Sequence, residues 1–207
     1  MKTKFLKLSL LALFIFTASC SSDDDKNEET PAVVTTKVSN VAAPQTGGQG
    51  QPAGGAFAKF SFSENKVVTD NNWDIAFRGT TIIVNGGAKI GLTDEPERTG
   101  SGAVSIVSGT FASVTAFPAA GTFAQDASTV YSIPTGSGKG WYSYNADTHI
   151  ISPIAGKVFV VKTHDGKYAK FEILSYYKDA PATPTAESVS PYYTFNFAYQ
   201  ANSTTTF

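Results

Sequence analysis

The chain has 207 residues, with 16 Lys and Arg against 17 Asp and Glu, one Cys, one Met and two His. That length suits one domain beyond any leader, and with no basic stretch nucleic acid is a poor partner. A single cysteine excludes an internal disulfide and any metal site built on several thiolates.

At the start of the chain, Lys2, Lys4 and Lys7 precede an apolar run from Leu8 to Phe16, and Thr17-Ala18-Ser19 leads into Cys20. This is the layout of a lipoprotein signal, in which small residues precede a cysteine that becomes the lipidated N-terminus. The apolar run is about half the length that spans a bilayer, so residues 1–19 are expected to be removed. Removal takes three lysines and leaves 188 residues with 13 basic and 17 acidic side chains, a formal charge of −4. Asp23, Asp24, Asp25, Glu28 and Glu29 form an acidic patch behind Cys20. Residues 20–55 are rich in Thr, Pro, Gly and Gln and nearly free of aromatics. They predict a disordered tether over 20–36 and a loosely docked lead-in to 55, with the folded domain over 56–207.

From Ala56 the pattern has period two, the spacing of strands. Phe57, Lys59, Ser61 and Ser63 alternate with Ala58, Phe60 and Phe62, and Trp73, Ile75 and Phe77 alternate with Asp74, Ala76 and Arg78, which makes one face large and apolar. Thr80–Val84 is a β-branched run ending at the turn Asn85-Gly86-Gly87, and 104–111 and 130–133 are further strand candidates. At most one short helical turn fits within 119–128. Asp165-Gly166 reads as a two-residue type I′ hairpin turn, pairing Val160 with Phe171 and Val158 with Ile173. A four-residue loop, 145–148, joins a second hairpin in which Tyr144 opposes His149 and Tyr142 opposes Ile151. That register puts Tyr142, Tyr144, His149 and Ile151 on one face. The aromatic segment 192–199 closes the domain. The fold class is all-β: a single antiparallel, sandwich-like domain.

Chemistry is sparse. Two histidines exclude a zinc site of several His or Cys ligands, and neither a G-x-S-x-G elbow nor a P-loop is present. The carboxylates of Asp94, Glu95 and Glu97 read as a solvated loop. An enzyme is therefore not expected. The aromatic inventory is the better pointer: a histidine on a tyrosine-lined face suits a flat apolar ligand whose iron it holds axially. His149 reads either as such a ligand or as a turn-flanking side chain in water.

Long segments carry a resemblance. Trp73–Gly87 resembles the central signature of the HmuY-like family, as do Gly140–Tyr144 with Thr148–Ile154, Asp165–Phe171 with Ser175–Tyr177, and Tyr193–Phe195. The likeness spans about residues 38–200. It implies an all-β lipoprotein of the Bacteroidetes outer surface, and the acidic patch behind Cys20 resembles the export signal of such proteins. The family's founding type takes haem from host haemoproteins and passes it to a TonB-dependent outer-membrane receptor. Its iron is held by a pair of His, or by Met in some relatives. Here the mature chain has no Met, and 110–130, where a first axial ligand is expected, has no His. The resemblance implies His149 as an axial ligand with Tyr142 and Tyr144 beside the macrocycle. His164 or a tyrosine would complete the pair, or the iron would be five-coordinate. The expectation is a surface-anchored protein that captures haem or a related porphyrin. The alternative is a structural or adhesive surface lipoprotein of the same fold without haem.

Overall fold

The computed structural model describes residues 33–48, 50–202 and 204–207. The signal segment, Cys20 and the acidic patch lie outside the described residues. The strands are β1 (Thr35–Ala42), β2 (Thr46–Gly48), β3 (Gln51–Gly54), β4 (Ala58–Ser61), β5 (Lys66–Val68), β6 (Ile75–Arg78), β7 (Thr81–Val84), β8 (Ala103–Ser108), β9 (Tyr142–Asn145), β10 (Ile150–Pro153), β11 (Lys157–Lys162), β12 (Tyr168–Ser175) and β13 (Tyr192–Gln200). Two short 3₁₀ turns, Phe111–Ser113 and Ala120–Thr122, are the only helical elements among the described residues. No helix among those residues is long and apolar enough to cross a membrane.

All named strand pairs are antiparallel. One sheet has the order β1-β13-β12-β11-β8 and a second the order β5-β4-β6-β7, while β9–β10 and β2–β3 are separate hairpins. The two larger sheets bury their facing sides in one core. Phe60, Phe62, Ile75, Phe77, Ile82 and Val84 come from the smaller sheet and its turns, and Phe159, Val161, Phe171, Ile173, Tyr193, Phe195 and Phe197 from the larger. Edge-to-face rings join them, Phe60 lying 5.2 Å from Phe195 at 84°. The period-two alternation of Ala58, Phe60 and Phe62 is seen in the structure, where this set faces the core.

Several expectations are corrected. The folded domain starts before Ala56: β1 pairs with β13 from Thr35↔Ala198 to Ala42↔Tyr192, and Val41 and Ala43 are in the core. The Thr and Val of this segment satisfy a sheet edge, which outweighs the Gly- and Pro-rich composition that follows. Trp73 does not share a face with Ile75 and Phe77; it packs with Phe57, Val68, Ala76, Ile83 and Ile90 behind the smaller sheet. Both faces of β6 are therefore covered, and even Arg78 is buried there, its guanidinium 4.3 Å from the Phe57 ring and donating to the Gly55 carbonyl at 3.1 Å. Residues 130–133 form no strand, only a bridge from Val130 to Ala127.

The β11–β12 hairpin is also shifted. Its register pairs Phe159 with Phe171 and Val161 with Ala169, one residue away from the expected pairing. A type I′ turn needs positive φ at both central residues; only Gly166, at 84°, provides it. Thr163 N donates to the Lys167 carbonyl at 2.8 Å, enclosing a three-residue loop of His164, Asp165 and Gly166. A one-residue slip exchanges sheet faces. Phe159 and Val161 thus face the main core, while Val158 and Val160 lie on the outer face with Val114, Phe111, Phe117, Phe123 and Phe207.

Candidate functional site

The β9–β10 hairpin is rooted in the core by Trp141, whose Nε1 donates to the Thr80 carbonyl at 2.9 Å. Its indole lies 5.1 Å from the Tyr193 ring and 4.9 Å from that of Tyr142. The hairpin's outer backbone is tied on both sides. Tyr144 N donates to Ser137 Oγ at 2.8 Å, and Ile151 N donates to the Tyr177 hydroxyl at 2.9 Å. At the tip, the Asn145 side chain accepts from the amides of Asp147 (2.9 Å) and Thr148 (3.1 Å), an Asx turn that reverses the chain. His149 then takes a left-handed conformation, φ 57°, before β10 begins.

The register here is Tyr144↔Ile151 and Tyr142↔Pro153, two residues from the expected one. A slip of two preserves the sheet face, so Tyr142, Tyr144 and Ile151 remain on one side. The expected opposition of Tyr144 and His149 as a strand pair is replaced by a side-chain contact: Tyr144 Oη lies 2.6 Å from His149 Nδ1. Tyr144 is 43% exposed, one of few large apolar side chains so placed among the described residues. The opposite face of the hairpin borders an open groove of about 480 Å³, lined by Asn145, Thr148, Ile150, Ser152 and residues 184–186.

His164 is not part of this arrangement. It sits in the β11–β12 loop, where its Nδ1 lies 2.8 Å from Asp74 Oδ1 and its backbone N donates to the same oxygen at 2.9 Å. That loop is at the Tyr168 end of β12, whereas the β9–β10 hairpin meets the chain beyond Ser175, through Tyr177. The eight residues of β12 separate the two ends by about 23 Å at ~3.3 Å per residue. Axial nitrogens on one iron are about 4 Å apart, so His149 and His164 do not form an axial pair.

Asp74 also accepts from Phe62 N at 2.7 Å. Burial pushes its carboxyl up, against the side-chain and backbone donors of His164 and the Phe62 amide. This clasp ties the loop to the smaller sheet and was not singled out in the sequence. The available signal was a carboxylate set between Trp73 and Ile75 in an otherwise apolar strand.

The carboxylate loop is solvated at Asp94 and Glu97, as expected, but not at Glu95. Glu95 is buried and accepts from the amides of Ile90 (2.9 Å), Gly91 (2.9 Å) and Leu92 (3.0 Å). Arg98 bridges Glu95 to Asp126, which in turn accepts from Val84 N at 2.9 Å and from the Ser132 hydroxyl at 2.6 Å. Among the described residues no group of three or more His, Cys, Asp or Glu side chains is placed to hold a metal ion.

Fold and site together define an all-β protein of two packed antiparallel sheets, carrying an aromatic hairpin with a phenol–imidazole pair at its tip. The chain belongs to the HmuY family, whose model matches residues 55–197. No curated protein matches the sequence. Several crystal structures are similar to the chain. The HmuY-like heme binding protein of Bacteroides vulgatus is 15% identical, with 81% of this chain and 92% of that one covered and a TM-score of 0.45. The apo HmuY analog of Tannerella forsythia is 15% identical, with 83% and 98% covered and a TM-score of 0.45. A lipoprotein of Bacteroides fragilis is 13% identical, with 80% and 90% covered and the same TM-score. The family match, and not these superpositions, carries the assignment.

Proposed function

We propose that the protein is a surface-anchored haem-binding lipoprotein that captures haem, or a related porphyrin, and hands it to a TonB-dependent outer-membrane receptor. Membership of the HmuY family is the observation that carries this reading. The lipid on Cys20 would hold the domain at the membrane, and the acidic patch that follows would direct it to the outer surface. The role is binding and hand-over, with the porphyrin itself left chemically unchanged.

The hairpin tip carries donors of types that bind haem iron. The Tyr144–His149 pair offers an oxygen and a nitrogen donor, both of them known haem-iron ligand types. The pair stands at an exposed tip beside half-buried Tyr142, while a groove within the ~300–1,000 Å³ range of small-molecule sites lies on the opposite face of the hairpin. His164 is held by Asp74 at the far end of the larger sheet and takes no part. Haem added to the purified protein should give a shifted Soret band that the double variant Tyr144→Phe/His149→Ala loses. An unshifted spectrum with excess haem would sink the haem reading and leave a structural or adhesive lipoprotein. A shifted band that survives in the double variant would move the site elsewhere.

A further inference from the structure

We infer that the protein pairs with a second copy of itself along the open edge of β1, residues 34–38 of the two chains running antiparallel about Thr36. Haem plays no part in this pairing. A sheet edge presents a row of unpaired backbone N–H and C=O groups, and the other edges of the two large sheets are covered or short. On β8 the Val104 N–H and carbonyl both bond to Ala124 at 2.8 Å, on β7 the Val84 amide donates to Asp126 at 2.9 Å, and β5 has three residues. β1 has eight and is an outermost strand of the five-stranded sheet. Its regular ladder breaks at Asn40 (φ 61°), whose side chain donates to the Asp179 carboxylate at 2.8 Å and accepts from the Asp179 amide at 2.7 Å. Ahead of that break, residues 35–39 have no backbone hydrogen-bond partner among the described residues besides β13.

The residues of this edge select its occupant. Val33-Val34-Thr35-Thr36-Lys37-Val38 is β-branched at every position but Lys37 and has no Pro or Gly, the composition of segments that pair strand to strand. Val34, just ahead of the strand, is 66% exposed. The chain's own leading segment is a poor occupant, because residues 23–31 are mostly Asp, Glu, Asn and Pro, types depleted in strands. A second copy is complementary. Directly opposed residues share a sheet face, and here Thr36 and Val38 are half-buried while Thr35 and Lys37 are exposed. Matching face to face therefore centres the two-fold axis on a residue. Centring it on Lys37 would oppose two ammonium groups. Centring it on Thr36 opposes Thr36 with Thr36, Val34 with Val38 and Thr35 with Lys37, and joins two five-stranded sheets into one. The two Val34 residues then lie about 14 Å apart, taking ~3.4 Å per residue and ~4.8 Å between strands, so anchors at both N-termini would hold the copies together.

The test is sedimentation equilibrium of the purified, haem-free protein, with the variants Thr35→Lys and Thr35→Glu at a single exposed position. Each changes the pairing of residue 35 with Lys37 of the partner subunit, and the two-fold axis makes that change twice. Wild type should show a reversible monomer–dimer equilibrium. Thr35→Lys creates two like-charge pairs and should weaken the dimer roughly 2- to 30-fold, while Thr35→Glu creates two opposite-charge pairs and should tighten it by a similar factor. Both shifts should shrink as salt is raised. A wild-type protein that is wholly monomeric at about 100 μM would overturn the inference. So would a dimer that Thr35→Lys and Thr35→Glu leave equally strong, since its interface would then lie elsewhere. Shifts of opposite sign from one exposed position cannot come from loss of the fold, and melting midpoints of the two variants check this directly. None of these outcomes bears on haem binding, which the Soret measurement decides by itself.

Discussion

Buried charge in this protein is concentrated in a few residues that hold loops onto sheets. Glu95 is the clearest. Burial alone would raise its pKa, yet three backbone amides and Arg98 hold the carboxyl below its ordinary value of 4.5. A depressed carboxylate stabilises the fold fully above about pH 4.5, and this is lost as pH falls through the lower value of the folded state. Glu95→Gln is expected to cost about 3 kcal/mol at pH 7, because the Arg98 guanidinium is left with Asp126 as its only acid partner. Urea unfolding should show the gap between wild type and variant narrowing at pH 3; an equal gap at both pH values would refute the charge-dependent account. Lys170 is the cationic counterpart on the opposite face. Its ammonium donates to the carbonyls of Phe111 (2.9 Å) and Val114 (2.8 Å), and burial pushes its pKa down. The cluster holding Glu95 reads from sequence as solvated, and Lys170 is not singled out at all, since a Lys or Glu in sequence is ordinarily a solvated side chain.

At the level of elements, hairpin existence was legible and hairpin register was not. Asn145 and Gly166 both mark real reversals, because an Asx turn and a left-handed glycine are local properties of those residues. The number of loop residues depends on more than that. In the β11–β12 loop, the bonds from His164 to Asp74 favour three residues over two, and every side chain of β11 changes face as a result. β1 was missed for a related reason: its partner β13 lies some 150 residues away, so nothing nearby in the chain announces the pairing. A chain beginning at Ala56 should accordingly lose cooperative thermal unfolding, because β13 becomes an open edge and Val41 and Ala43 leave the core. A chain beginning at Val33 should keep it. Equal melting midpoints for the two would show that β1 contributes nothing.

Across the whole molecule, one aromatic core couples both large sheets to the hairpin that carries the site. Tyr193 joins all three: its hydroxyl donates to the Gly79 carbonyl at 2.8 Å in the β6–β7 turn, and its ring packs on Phe77 and Trp141. Burial drives the phenols of Tyr193 and Tyr176 well above their ordinary value, and burial with the nearby Asp165 and Asp74 pushes Tyr199 up to about 12. Groups with raised folded-state values stabilise the fold fully below about pH 10 and withdraw that support as pH rises through the values of the folded state. The protein should therefore show an alkaline loss of stability beginning near pH 10. Tyr193→Phe should cost about 1–2 kcal/mol at pH 7 by leaving the Gly79 carbonyl unpaired, and should shrink the alkaline loss. Circular dichroism melts at pH 7 and pH 11 give both quantities; an unchanged alkaline loss in the variant would exclude Tyr193 as a contributor.

By itself the sequence determined the all-β class, the shared face of Phe60 and Phe62, the turn positions and the family, all of which depend on period-two spacing, turn chemistry or long matching segments. The tertiary structure alone decided where the domain begins, and that His164 is tied to a buried aspartate rather than joining His149 beside Tyr144. Those outcomes depend on pairings between distant residues. Tyr144 and His149 meet because a four-residue loop and a positive φ fold the tip back on itself, and His164 is removed from them by the length of β12. Residue spacing carries no record of that distance.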